Sequence, residues 1–139
     1  MCFVKDRPPN ILLVEDRPAI SADLERILNE SGFEVIGPAH SVTEALVHIL
    51  QRDIDAALLD IKVCEELTSP LLDVLSFAGL PFVVVTAHPK ATLPTRHGNR
   101  PFISWPYADG DIVRALRAAL ARPALIGSPQ SAATLLDAA

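Results

Sequence analysis

Acidic and hydroxyl side chains end three of the apolar runs in this chain: Glu15-Asp16 follows Ile11–Val14, Asp60 follows Ala56–Leu59, and Thr86 follows Phe82–Val85. A carboxylate can act as a nucleophile or as a ligand for a hard cation, and a hydroxyl can donate to an anionic oxygen. Three carboxylates meeting in one crevice repel each other and hold protons unless a cation joins them. Carboxylate oxygens suit Mg²⁺, which takes few protein ligands and leaves room for phosphate. An acid pair at the start of a helix would by itself only complement the helix dipole. That accounts for Glu15-Asp16, but not for an aspartate ending a different run.

Whether these groups meet depends on the elements that carry them. Five short apolar runs recur: Ile11–Val14, Glu34–Ile36, Ala56–Leu59, Phe82–Val85 and Phe102-Ile103. Three are continuous rather than alternating, as in strands buried on both faces of a parallel sheet. Stripes of helical period lie between them. Ile20, Leu24, Ile27 and Leu28 follow Pro18. Val42, Ala45, Leu46, Ile49 and Leu50 follow Ser41, with Glu44 completing a capping box. Leu71, Val74, Leu75 and Ala78 follow Ser69-Pro70. Asp109 caps a last helix carrying Ile112, Val113, Leu116, Ala119 and Leu120, which Pro123 stops. Residues 87–100 hold Pro89, Pro94 and Gly98 but no apolar stripe, so any helix there is short or absent.

The order predicts an open, doubly wound α/β domain with a five-stranded parallel sheet. With strand order 2-1-3-4-5, the first and third strands are neighbours, and their carboxyl ends bring Glu15, Asp16 and Asp60 together.

The chain's 139 residues suit one domain. The reading places that domain at 10–122, a flexible arm at 1–9, and a tail at 123–139 that is flexible or a short helix. Half the residues are hydrophobic and 21% are charged, which excludes global disorder. A net charge of −5 argues against nucleic acid as a partner. Cys2 and Cys64 are too few for a disulfide framework. No run is long enough to span a membrane and no signal-peptide core is present, so a cytoplasmic protein is expected.

The strings "ILLVEDRP", "ALLD" and "VVVTA" resemble the strand-end signatures of response-regulator receiver domains, the phosphoryl acceptors of two-component signalling. The resemblance runs from Asn10 to Arg122. It implies the flavodoxin-like fold, with Asp60 as the phosphoacceptor. Glu15, Asp16 and Asp60 would hold Mg²⁺, with the Lys62 backbone carbonyl. It also implies that Thr86 contacts a phosphoryl oxygen and that Phe102 is the switch aromatic. The proline-phenylalanine start of the fourth strand and the degraded fourth helix are similar to a subgroup of stand-alone alphaproteobacterial receivers.

One position departs from the family. At the end of the fifth strand the family has lysine-proline and an aromatic, whereas this chain has Trp105-Pro106-Tyr107. The resemblance implies a cis bond before Pro106. An indole offers one neutral N–H donor and no positive charge. Compensating charge is available from Arg17 or Lys62, although each reads first as a solvated surface cation. His88 and His97 read as ordinary loop histidines.

The expected function is a single-domain response regulator, phosphorylated on Asp60 by a histidine kinase, a histidine phosphotransfer protein or a small phosphodonor, and signalling by protein contact. The alternative is a pseudo-receiver, an interaction module independent of phosphorylation. A phosphohydrolase with an aspartyl-phosphate intermediate would need an acid two residues after the nucleophile, where this chain has Lys62. A DNA-binding regulator is not expected at this length unless its output domain is a separate chain.

Overall fold

The computed structural model describes residues 7–60, 62–63, 66–86 and 102–121. Expectations for the fourth helix, His88, His97, Cys2, Cys64 and the 123–139 tail lie outside them. The elements in order are β1 (Asn10–Val14), α1 (Pro18–Glu30), β2 (Glu34–Ala39), α2 (Val42–Gln51), β3 (Ala56–Leu59), β4 (Lys62–Val63), β5 (Glu66–Leu67), α3 (Ser69–Phe77), β6 (Phe82–Thr86), β7 (Phe102–Ser104) and α4 (Asp109–Ala121).

β2, β1, β3, β6 and β7 form one sheet in that order, and every pairing is parallel. This is the doubly wound fold read from the sequence. The continuous apolar runs became its inner strands because helices cover both faces, so neither face needs polar side chains.

Alternate residues of β1 serve opposite layers, as the strand's two-residue period requires. Leu12 and Val14 join a core closed by α2 and α3, with Val42, Ala45, Leu71, Leu72 and Leu75. Ile11 and Leu13 join the core beneath α1 and α4, with Leu24, Ile27, Leu28, Ile112 and Leu116.

Two stripes rotate relative to expectation. Leu50 is 85% exposed, because Ile49 takes the inward place and the next residue turns about 100° away. In α3 the buried face is Leu71, Leu72 and Leu75, which turns Val74 outward.

Local signals hold in varying degree. The Ser41 hydroxyl accepts from the Glu44 backbone N–H at 3.1 Å, while the Glu44 carboxylate reaches past it to the His40 N–H. Asp109 does not cap α4: its carboxylate pairs with Arg26 of α1, and Asp111 accepts from the Ala108 N–H instead. Arg7, within the stretch read as an arm, pairs with Asp53 and Asp55. The short antiparallel pair β4–β5 had no counterpart in the reading. Gly37 adopts φ +103° beside β1, where a Cβ would lie 2.6 Å from the Ala39 nitrogen and 3.0 Å from the Leu13 carbonyl oxygen. Only glycine fits both constraints.

Candidate functional site

The first and third strands lie side by side, with Val14 opposite Leu59, so the residues after them meet. Glu15 and Asp60 are each 2% exposed. Backbone bonds seat both: the Glu15 N–H donates to the Ala39 carbonyl at 3.0 Å, and the Asp60 N–H donates to the Val14 carbonyl at 3.3 Å. The buried Thr68 hydroxyl donates to the Asp60 carbonyl at 2.7 Å. Thr68 stands at the start of α3 and makes no side-chain cap there, because its hydroxyl is committed to Asp60.

Two buried carboxylates in contact range are costly unless a cation compensates. Arg17 supplies it. Its Nε donates to Glu15 Oε2 at 3.1 Å, and its Nη2 donates to Glu15 Oε1 at 3.3 Å and to Asp60 Oδ2 at 2.7 Å. Its backbone N–H adds a bond to Glu15 Oε2 at 3.0 Å. Arg17 is therefore not the solvated surface cation of the sequence reading. The signal for it was in plain view, a base directly after the acid pair and before a proline. Thr68 had no such signal, since Thr-Ser-Pro reads as a helix start.

The electrostatics follow from burial. Desolvation pushes the Glu15 carboxyl above the usual carboxylate range, the Arg17 hydrogen bonds pull it back, and the Asp60 charge adds to the rise. The bond to Glu15 is the largest cause holding the Arg17 guanidinium more firmly protonated than usual. Asp16 is half-buried, and its charge also favours the protonated Arg17.

The remaining candidate residues are spread over β4, β6, β7 and the chain just past β7. Lys62 opens β4 two residues after Asp60. Thr86 closes β6, in register with Ser104. Phe102 is half-buried against the core beneath α2 and α3. The Trp105-Pro106 bond is cis. Trp105 is 48% exposed, and its ring meets Tyr107 edge-on at 5.1 Å between centroids. Tyr107 donates its hydroxyl to Asp23 at 2.8 Å, and burial with that bond pushes the phenol pKa well up.

Glu15, Asp16 and Asp60 are hard oxygen donors of the kind Mg²⁺ prefers. Their chemistry fits that ion, although among the described residues no three His, Cys, Asp or Glu side chains are set to hold a metal. The guanidinium stands across two of the three instead. Among the described residues, no helix is long and apolar enough to cross a membrane.

No protein-family model matches the chain. The solution structure of SdrG from Sphingomonas melonis Fr1 is 31% identical, covers 81% of this chain and 97% of that one, and superposes with a TM-score of 0.73. A CheY-like response regulator receiver domain protein from Methanospirillum hungatei JF-1 is 25% identical, covering 81% of this chain and 94% of that one, with a TM-score of 0.72. The transcriptional regulatory protein PdtaR of Mycobacterium tuberculosis is 27% identical over 119 residues, which are 83% of this chain but only 58% of PdtaR. The chain thus spans little more than half the length of that relative. A parallel sheet in the order β2-β1-β3-β6-β7, an acid pair after its first strand, an aspartate after its third and these likenesses lead to one family: the chain belongs to the response-regulator receiver domains.

Proposed function

We propose that this receiver accepts a phosphoryl group on Asp60 within a two-component phosphorelay and signals by contact with a protein partner. One observation carries the reading: a buried aspartate follows β3 beside a buried glutamate, with the Arg17 guanidinium between them. A carboxylate held this way is aimed by its backbone and relieved of charge repulsion, which is what in-line attack on phosphorus requires.

In the transfer, an Asp60 carboxylate oxygen forms the new P–O bond. The P–N bond of a phosphohistidine breaks, and the imidazole nitrogen leaves with its electron pair and takes up a proton. Thr68 keeps the Asp60 backbone in place throughout. Arg17 offers N–H donors to the oxygens that gain charge, and Thr86, ending the next strand, is a further candidate donor. Glu15, Asp16, Asp60 and the Lys62 carbonyl are the groups that would hold Mg²⁺, which when bound supplies positive charge for the phosphoryl oxygens. Phe102 and Trp105-Pro106, on and just past β7, are the candidate switch residues. The donor would be a histidine kinase, a histidine phosphotransfer protein or a small phosphodonor, in the cytoplasm. The protein would catalyse only its own phosphorylation and dephosphorylation.

Acetyl phosphate with Mg²⁺, read by intact mass, tests this. Wild type should gain one phosphoryl group and Asp60→Asn none. An adduct retained in Asp60→Asn removes the assignment, and no adduct in wild type favours the interaction module that works without phosphorylation.

A further inference from the structure

We infer that Arg17 is the resident cation of this pocket, taking over at Asp60 the work of the missing strand-end lysine and competing with divalent metal for Glu15 and Asp60. The position before Pro106 holds a neutral indole that is half-exposed and packed on Tyr107. The end of β7 therefore supplies no positive charge through Trp105. Among the described residues, Arg17 on the loop between β1 and α1 touches both buried acids.

The chain fixes this locally. Pro18 opens α1, and a residue before proline is held in the extended region. Arg17 has φ −89° and ψ 116°, with Pro18 locking the turn beyond it. Its backbone N–H bonds to the Glu15 carboxylate that its Nε also reaches, so the loop closes on the acid from two sides. The fork geometry of a guanidinium suits two carboxylates at once, which an ammonium cannot match. Arg17 is itself 46% exposed, so it can withdraw without unpacking the core.

Two carboxylates that share one positive charge attract a dication less strongly than two bare ones. The guanidinium and Mg²⁺ draw on the same two acids, and metal entry weakens the Arg17 contacts. Once a phosphoryl group stands on Asp60, the guanidinium has oxygens of higher charge within its reach. That second half rests on Asp60 being the acceptor; the metal competition does not.

The full chain tests both halves, as wild type, Arg17→Gln, Arg17→Lys and Arg17→Gln/Trp105→Lys. Mg²⁺ is titrated by calorimetry, and melting is followed in EDTA and in Mg²⁺. Arg17→Gln should bind Mg²⁺ about tenfold tighter, the scale of one partly screened charge pair, and should melt lower in EDTA with recovery in Mg²⁺. Arg17→Lys, which keeps the charge but cannot bridge both acids, should bind Mg²⁺ with an affinity between those of wild type and Arg17→Gln. Unchanged or weaker Mg²⁺ binding by Arg17→Gln overturns the competition. At saturating Mg²⁺ and fixed acetyl phosphate, Arg17→Gln should give less phosphoprotein, and adding Trp105→Lys should restore it. Equal yields in wild type and Arg17→Gln overturn the neutralising role. If wild type itself takes no phosphoryl group, the acceptor reading fails, and the metal titrations still decide what Arg17 does.

Discussion

The Tyr107 hydroxyl donates to the Asp23 carboxylate at 2.8 Å, which ties the chain just past β7 to the first helix. Arg26 extends the tie, bonding Asp23 at 2.7 Å and Asp109 at 3.2 Å. Trp105 rests against the same tyrosine ring, so this contact sets the platform of the segment just past β7.

Tyr107→Phe removes the bond but keeps the ring. It should cost about 1 kcal/mol in urea unfolding, the usual net worth of one hydrogen bond, and leave Trp105 emission unchanged. Tyr107→Ala should cost more and shift that emission to longer wavelength, because Trp105 loses its packing partner.

Asp23 also gives the molecule an acid-sensitive contact. Bonds from Arg26 and then from Tyr107 hold its carboxyl below the ordinary value of 3.8. A depressed folded pKa contributes stability above 3.8 that is lost as pH falls through the folded value. The stability difference between wild type and Asp23→Asn, measured by melting from pH 7 to pH 2, should therefore be steady above pH 5 and shrink toward pH 2. The pair is exposed, so the same difference should fall in high salt.

Thr68→Val keeps the shape of the side chain and removes the donor to the Asp60 carbonyl. A buried carbonyl left without its partner costs about 1–3 kcal/mol. Chemical denaturation should report that loss. With Asp60 as the proposed acceptor, phosphoryl transfer should slow in the still-folded protein, since the Asp60 backbone is then less firmly held.

Gly37→Ala should be among the most damaging small substitutions outside the core. It places a Cβ against the backbone of Ala39 at a positive φ, and such strain costs about 1–3 kcal/mol. Ala at Gly32, also at positive φ but with open space around the new Cβ, should cost less in the same unfolding assay.

Strand order and the meeting of Glu15 with Asp60 were legible because continuous apolar runs and their acidic ends are local signals that a parallel sheet converts directly into neighbours. The helix faces were legible only to within one position. Leu50 and Val74 have the right hydrophobicity, but which of two adjacent residues turns inward is set by the docking angle of the helix, not by its own pattern. Arg17 was visible as a charge and invisible as a bridge. A guanidinium has several rotatable bonds behind it, and its final place follows from the two acids that burial leaves uncompensated. Asp109 failed as a cap for a related reason, since Arg26, 83 residues away in the chain, competes for its carboxylate.

Among the described residues, the two apolar layers form separate clusters on either side of the strands. β1 and β3 give side chains to both layers and have strand partners on each side, so their amide protons can reach solvent only when the whole sheet comes apart. Asp60 sits one residue past β3, whose amide protons should be among the slowest to exchange. Arg17, which bonds the Asp60 carboxylate, sits half-exposed on the turn before α1. Anchoring of Asp60 thus belongs to the sheet, and charge compensation to the turn before Pro18.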